Sequence, residues 1–194
     1  VLLTAKVPSS VVPTVSTVAT AEATTGIAAQ FGTYVQSKSK IKTTITASGS
    51  YGSTIKSYST TFQGKTYSGA SWTSSTINNK GSLSLVTTVT DSRGRTAKKT
   101  TTISVTEYAP PQIAHFRAIR CDAKGNPQSD GVYAQVSYSY TVASVGGKNT
   151  ASAKVEWKLS SATSYQSTPL LTDTATASYN TATVTSLTFS TESQ

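Results

Sequence analysis

Residues 48–105 read SGSYGSTIKSYSTTFQGKTYSGASWTSSTINNKGSLSLVTTVTDSRGRTAKKTTTISV, and this stretch decides the fold. Short alternating runs are separated by glycine-bearing turns, with Ser and Thr on nearly every solvent face. Ile55–Phe62 is one strand. Gln63-Gly64 follows it with strand pattern on both sides, which fits a tight hairpin. Asn78–Gly81 is another turn, after which Leu83, Leu85, Thr87 and Val89 form one inward face. Asp91-Ser92-Arg93-Gly94 is the clearest turn. Asp at its first position accepts hydrogen bonds from the turn backbone, and Gly at its fourth takes a positive φ as the strand resumes. A type I turn with a bulge results, and Lys99–Val105 runs back antiparallel. The stretch holds no His, Cys or Glu and a single Asp. It can build a β-sandwich and display a surface, and it has almost nothing with which to do chemistry.

The pattern extends outward in both directions. Val7–Val18, with Pro8 and Pro13, reads as an extended first strand at a sheet edge. Glu22–Tyr34 reads as a loop with one helical turn. Ile41, Thr43, Ile45 and Ala47 point one way and Lys40, Lys42, Thr44 and Thr46 the other, a half-buried strand with a basic outer face. Glu107-Tyr108-Ala109-Pro110-Pro111 stops that plan, because two prolines stiffen the chain and remove strand donors. The expected domains are residues 1–108 and 109–194. In the second half Ile113–Arg120 opens a strand, and Val132, Ala134, Val136, Tyr138, Tyr140 and Val142 alternate over a long one. Gly146-Gly147 breaks it. Val155, Trp157 and Leu159 then face inward, and Thr181–Phe189, with Leu187 and Phe189 on one face, is the last strand. The first half continues to a further strand pair (Leu83–Thr90 and Lys99–Val105) for which the second half shows no equivalent. The second domain is therefore smaller, cut off, or completed by partner strands, and an open edge recruits strands.

Composition agrees with an all-β chain. The 194 residues suit one large domain or two of about 100. Ser and Thr supply 67 of them, and the hydrophobic fraction is 36%. Low hydrophobicity alone permits disorder, but the apolar residues are periodic and punctuated by turns. No apolar run is long enough to span a membrane, and the N-terminal VLLTAKVPSS lacks the charged and hydrophobic regions of a signal peptide. A chain that begins at Val1 and holds no Met reads as part of a longer protein. Cys121 is the one cysteine, so no intrachain disulfide forms. Residues 1–108 carry 11 Lys/Arg against 3 Asp/Glu, and residues 109–194 carry 6 against 5. The basic half suits an anionic partner, or is simply a solvated face.

Constellations for catalysis are missing. Glycan hydrolysis generally needs two carboxylates about 5–10 Å apart, and the eight acids (Glu22, Asp91, Glu107, Asp122, Asp130, Glu156, Asp173 and Glu192) are scattered. Asp122 and Asp130 flank one loop without EF-hand spacing. His115 and Cys121 cannot supply the three or four ligands of a zinc site, and no phosphate-binding glycine motif occurs. Neither a metal nor a cofactor is expected, and the chain reads as a non-enzyme. Trp157 resembles the inward tryptophan of immunoglobulin-like sandwiches. Trp72, near Tyr67 in the loop-like GASWTSS, either packs under a loop or offers an aromatic face. The candidate surface contacts are Trp72, Tyr67, Lys38, Lys40, Lys42, Arg93 and Arg95, with the three lysines on one side of one strand. Lys38, Lys40, Lys42 and Lys56 with Tyr34, Tyr51 and Tyr58 make only a loose basic–aromatic stripe, so nucleic acid is a disfavoured partner.

The runs KSKIKTTITASGSYGSTIKSYSTTFQGKTYSG and VTTVTDSRGRTAKKTTTISV, followed by YAPPQI, resemble tail proteins of long-tailed phages that infect Gram-positive bacteria. The likeness is closest over residues 35–115, in the Thr90–Thr96 turn with its following strand and in the Tyr-x-Pro-Pro linker. It implies tandem immunoglobulin-like β-sandwich domains, here two, in a minor structural or host-recognition component of the tail tip or baseplate, and the chain departs from that pattern by ending before a complete second domain is read. It supplies no catalytic residues. The implied location is the virion, and the implied partners are other tail proteins, further copies of the chain, and a host wall polysaccharide or teichoic acid. A bacterial surface adhesin or spacer module is the alternative.

Overall fold

In the computed structural model, residues 8–158, 161–167, 171–174 and 179–188 are described, and almost all the regular structure is β. The chain divides into two compact units, Val1–Glu107 and Tyr108–Gln194.

The first unit runs β1 (Thr14–Glu22), α1 (Ile27–Phe31), β2 (Tyr34–Val35), β3 (Ile41–Ser48), β4 (Ile55–Phe62), β5 (Lys65–Ser68), β6 (Ser71–Thr73), β7 (Gly81–Asp91) and β8 (Thr96–Thr106). One sheet has the order β1-β3-β6 and the other β2-β8-β7-β4-β5. The opening strand starts at Thr14, and residues 8–13 before it are not part of it. Pro13 stands just before it, consistent with a residue that cannot donate to a ladder. It also runs on to Glu22 and pairs with β3 throughout. The single helical turn α1 then carries the chain to the other sheet, where β2 lies parallel to β8. This is an immunoglobulin-like sandwich with its first strand split between two sheets.

The core follows the alternation. Ile41, Thr43 and Ile45 of β3 are buried, while Lys42, Thr44 and Thr46 are exposed. Phe62, Ile77, Leu85, Val89, Ile103 and Val105 complete the packing between the sheets. Where β4 meets β7, the buried hydroxyls of Thr60 and Thr87 pair with each other at 3.0 Å, which removes the cost of an unmet polar group. Gln63 and Gly64 have φ of 47° and 72°, the two positive values a two-residue hairpin with matching twist requires. Gly49 is constrained differently. A Cβ there would stand 1.9 Å from the Ser53 carbonyl oxygen, so Gly49→Ala must displace backbone. We expect it to destabilise the chain by about 1–3 kcal/mol, measurable as a lower urea midpoint at unchanged slope.

The second unit contains β9 (Gln112–Cys121), β10 (Tyr133–Thr141), β11 (Thr150–Ala153), β12 (Glu156–Trp157), β13 (Gln166–Ser167), β14 (Leu171–Thr174) and β15 (Tyr179–Thr188). One sheet has the order β15-β10-β9. The other strands form a hairpin: β11 pairs with β14 and β12 with β13, with a register break between them. Ala134, Val136, Tyr138 and Tyr140 of β10 alternate inward against Ala151 and Val155, and Trp157 is partly buried against them. Val7, Leu159, Phe189 and Glu192 lie outside the described residues.

Candidate functional site

One end of the first unit is built by two turns. The β7–β8 turn is organised by Asp91, which is fully buried. Its backbone N–H donates to the Arg95 carbonyl and its carbonyl accepts from Gly94 N–H, both at 2.9 Å. Its Oδ1 accepts from the backbone N–H groups of Arg93 (3.0 Å) and Arg95 (2.9 Å). Its Oδ2 accepts from Nε and Nη2 of Arg95 at 3.0 and 2.8 Å. Burial alone raises the Asp91 carboxyl, but the hydrogen bonds from Arg95, Arg93 and Ser53 outweigh it and hold the group below its ordinary value. Gly94 takes φ 82° at the bulge position.

The neighbouring turn, between β3 and β4, carries Tyr51. Its φ is 49°, a left-handed conformation that is a true outlier for a bulky side chain and costs on the order of 1–3 kcal/mol. Arg93 holds it there. Arg93 Nη1 donates to the Ser50 carbonyl at 3.2 Å, and Nη2 to the Tyr51 carbonyl at 2.8 Å. Ser53 Oγ closes the same turn, accepting from Ser50 N–H and donating to the Ser50 carbonyl. The ring itself is 84% exposed. An over-determined backbone therefore presents one aromatic face beside an exposed guanidinium.

The surface residues expected from sequence are only partly assembled. Trp72 is not a surface aromatic: it is 8% exposed, within the core of the first unit. Tyr67 stacks on it at 4.2 Å between centroids and 14° between planes. Tyr67 Oη accepts from Ser75 N–H, which holds its ring against Trp72. The GASWTSS stretch is not a loop throughout, because Ser71–Thr73 forms β6 and pairs with β3. Lys38, Lys40 and Lys42 are exposed but do not share a strand. The chain turns at Ser37 (φ 60°), Lys38 lies in that turn, Lys40 precedes β3, and only Lys42 is on it. The basic–aromatic stripe does not form either, since Tyr34 and Tyr58 pack against the core. Arg95 is spent on Asp91, leaving Arg93 as the exposed arginine of the turn. The sequence places Tyr51 only in that loose stripe. The signal for its display was an aromatic flanked by Gly49 and Gly52 between two strands.

The second unit repeats the aspartate turn in a different place. Asp122 Oδ1 accepts from Lys124 and Asn126 N–H, and its Oδ2 from the Asn126 side-chain amide at 2.9 Å. Its backbone bonds to Asn126 and Gly125 match those of Asp91 to Arg95 and Gly94. The Asn126 side chain, then its backbone N–H, lowers the Asp122 carboxyl. Both oxygens are thus occupied in holding a turn. Among the described residues no group of three His, Cys, Asp or Glu is placed to hold a metal, and no helix is long and apolar enough to cross a membrane. His115 is exposed on β9, 3.4 Å from Ser137 Oγ, and Cys121 is a buried free thiol.

The model of a family described as "Siphovirus protein of unknown function (DUF859)" matches residues 1–193. No curated protein matches the chain. A solved structure titled for the promiscuous specificity of carbohydrate-binding modules of the β-sandwich superfamily is similar at 14% identity and a TM-score of 0.39. It covers 93% of this chain and 86% of that one. At that score the likeness assigns no ligand.

Proposed function

The chain belongs to this siphovirus protein family, and from that premise we propose that it is a non-enzymatic structural component of the phage tail tip or baseplate. In this reading it sits among other tail proteins and further copies of itself and contacts the surface of a Gram-positive host. The observation that carries the contact is the strained, Arg93-braced Tyr51 at the loop end of the first unit. Strain persists where the surroundings over-determine it, and such places are enriched in function. A rigid Tyr loses little entropy on contact and has a face suited to a sugar ring. The adjacent guanidinium, in the half of the chain with 11 basic and 3 acidic residues, suits phosphate or carboxylate groups. An anionic wall polymer such as teichoic acid combines both chemistries. Weak single contacts are multiplied by copies on the particle.

The test is binding of the purified chain to intact Gram-positive cells, with and without removal of anionic wall polymers. Tyr51→Gly is expected to weaken binding on the order of tenfold or more. The same change relieves the positive-φ strain, so the melting temperature should hold or rise. Binding that survives Tyr51→Gly, or that ignores polymer removal, rejects this contact and leaves a scaffolding role.

A further inference from the structure

The turn that carries Tyr51 is fastened from beneath as well as from the side. Ser53 bonds both to that turn and to the buried Asp91–Arg95 pair, and it is only 8% exposed. Its Oγ accepts from Ser50 N–H at 3.0 Å. Arg95 Nη2, which also bonds Asp91 Oδ2, approaches the same oxygen at 3.5 Å. A hydroxyl has one proton to give. The Ser50 carbonyl, at 2.9 Å, and the Asp91 carboxylate both draw on that of Ser53, and with either acceptor the hydroxyl joins the buried pair to the turn.

Gly49 makes room for this arrangement. A Cβ there would stand 2.6 Å from Ser53 Oγ as well as against the Ser53 carbonyl, so a side chain at 49 would push the hydroxyl out of place. Two further ties run between the same turns. Ser92 N–H donates to the Thr54 carbonyl at 2.8 Å, and Thr54 N–H donates to Ser92 Oγ at 3.3 Å. Ser50 Oγ reaches a third segment, donating to the Val12 carbonyl. The Tyr51 turn, the Asp91 turn and the chain before β1 are thus bonded into one network.

Within that network the exposed and the buried tie differ in kind. Arg93 is the group that the host-contact reading offers to an anion. A guanidinium has five N–H donors, and Arg93 already gives two of its bonds to the Ser50 and Tyr51 carbonyls. An anion that draws on Arg93 competes with those bonds. The Ser53 hydroxyl is buried and meets no such competitor. We propose that Ser53 is a positioning residue of the Tyr51 contact. It ties the turn to the buried Asp91–Arg95 pair, so that the strained backbone keeps the ring presented while Arg93 engages the anion, and the ordering cost of the turn is met before binding. Ser53 itself touches no ligand. Its effect on binding rests on the host-contact reading, whereas its hold on the turn does not.

Backbone nitrogen-15 relaxation and cell binding of the full chain, with and without Ser53→Ala, test it. The order parameter of the Tyr51 and Gly52 amides should fall from about 0.85 to below about 0.6 in Ser53→Ala, with those of Val89 and Ile103 in the core unchanged. Wild-type order at Tyr51 in the variant overturns the proposal, whatever the binding. Ser53→Ala should weaken binding to intact Gram-positive cells roughly fivefold or more, but less than about twofold in the Tyr51→Gly background, where no ring is left to position. Equal losses in the two backgrounds leave Ser53 a purely structural role and overturn the proposal. If Tyr51→Gly alone leaves binding unchanged, the host-contact reading fails, and the relaxation result by itself decides whether Ser53 positions the turn. Because Ser53→Ala can disturb folding, amide exchange of the unsubstituted chain supplies a further measurement. Ser50 N–H, bonded to Ser53 Oγ, should exchange roughly tenfold or more slowly than the same amide in an unstructured peptide, and an unprotected rate overturns the proposal.

Discussion

Asp91→Asn is expected to lower the melting temperature of the chain's first transition by roughly 10 °C or more. The substitution keeps the shape of the side chain but replaces the Oδ2 acceptor by an amide donor, or turns that donor onto the two backbone N–H groups. In either orientation the Arg95 guanidinium, only 18% exposed, loses its counter-charge. Breaking a buried pair from one side is far worse than never having had it, since the remaining charge stays desolvated. The double variant Asp91→Asn with Arg95→Met should therefore recover much of the loss, and a double-mutant cycle measures how much. The pH dependence has a fixed sign. The folded carboxyl titrates below its ordinary value of about 3.8, so its contribution is fully present above that value and is lost as pH falls through the lower folded one. Asp91→Asn should flatten that part of the acid limb and leave the neutral range parallel to wild type. The loss should be read with circular dichroism between pH 2 and 7.

Trp72→Ala is expected to destabilise the chain by about 3–5 kcal/mol, while leaving cell binding per folded molecule unchanged. The ring fills the space between Tyr67 and the core of the first unit, and its removal leaves a cavity that the sheets cannot close. Trp72→Phe should cost much less. The indole Nε1–H is buried with no partner among the described residues, so phenylalanine sacrifices volume but also removes an unmet donor. A surface platform would behave in the opposite way, with an unchanged melt and lost binding for Trp72→Ala. Denaturant unfolding of the three forms beside the binding assay separates the two.

The strands and turns were legible because their causes are local. The alternation Ile41–Thr43–Ile45 fixed which face of β3 is buried, and the Asp91–Gly94 residues fixed a type I turn with a bulge. Trp72 was not legible because β6 is three residues long, too short for a period to show, and its cross-strand neighbour Thr43 is polar. The lysine row failed because one positive φ at Ser37 removes Lys38 from the line of β3. Residues 8–13 do not form a strand because apolar character there coincides with prolines that end a ladder.

By itself, then, the sequence determined an all-β chain of sandwich units and the main turns that join their strands. Those properties rest on residue types and on spacings of two to five positions. Only the tertiary structure decided that Arg93 braces Tyr51, 42 positions away, that Tyr67 stacks on Trp72, and that Ile113, Phe116 and Tyr138 line one groove. Each of these depends on which strands lie side by side. That neighbourhood is selected by burial of the whole apolar face at once, and no short stretch of the chain encodes it.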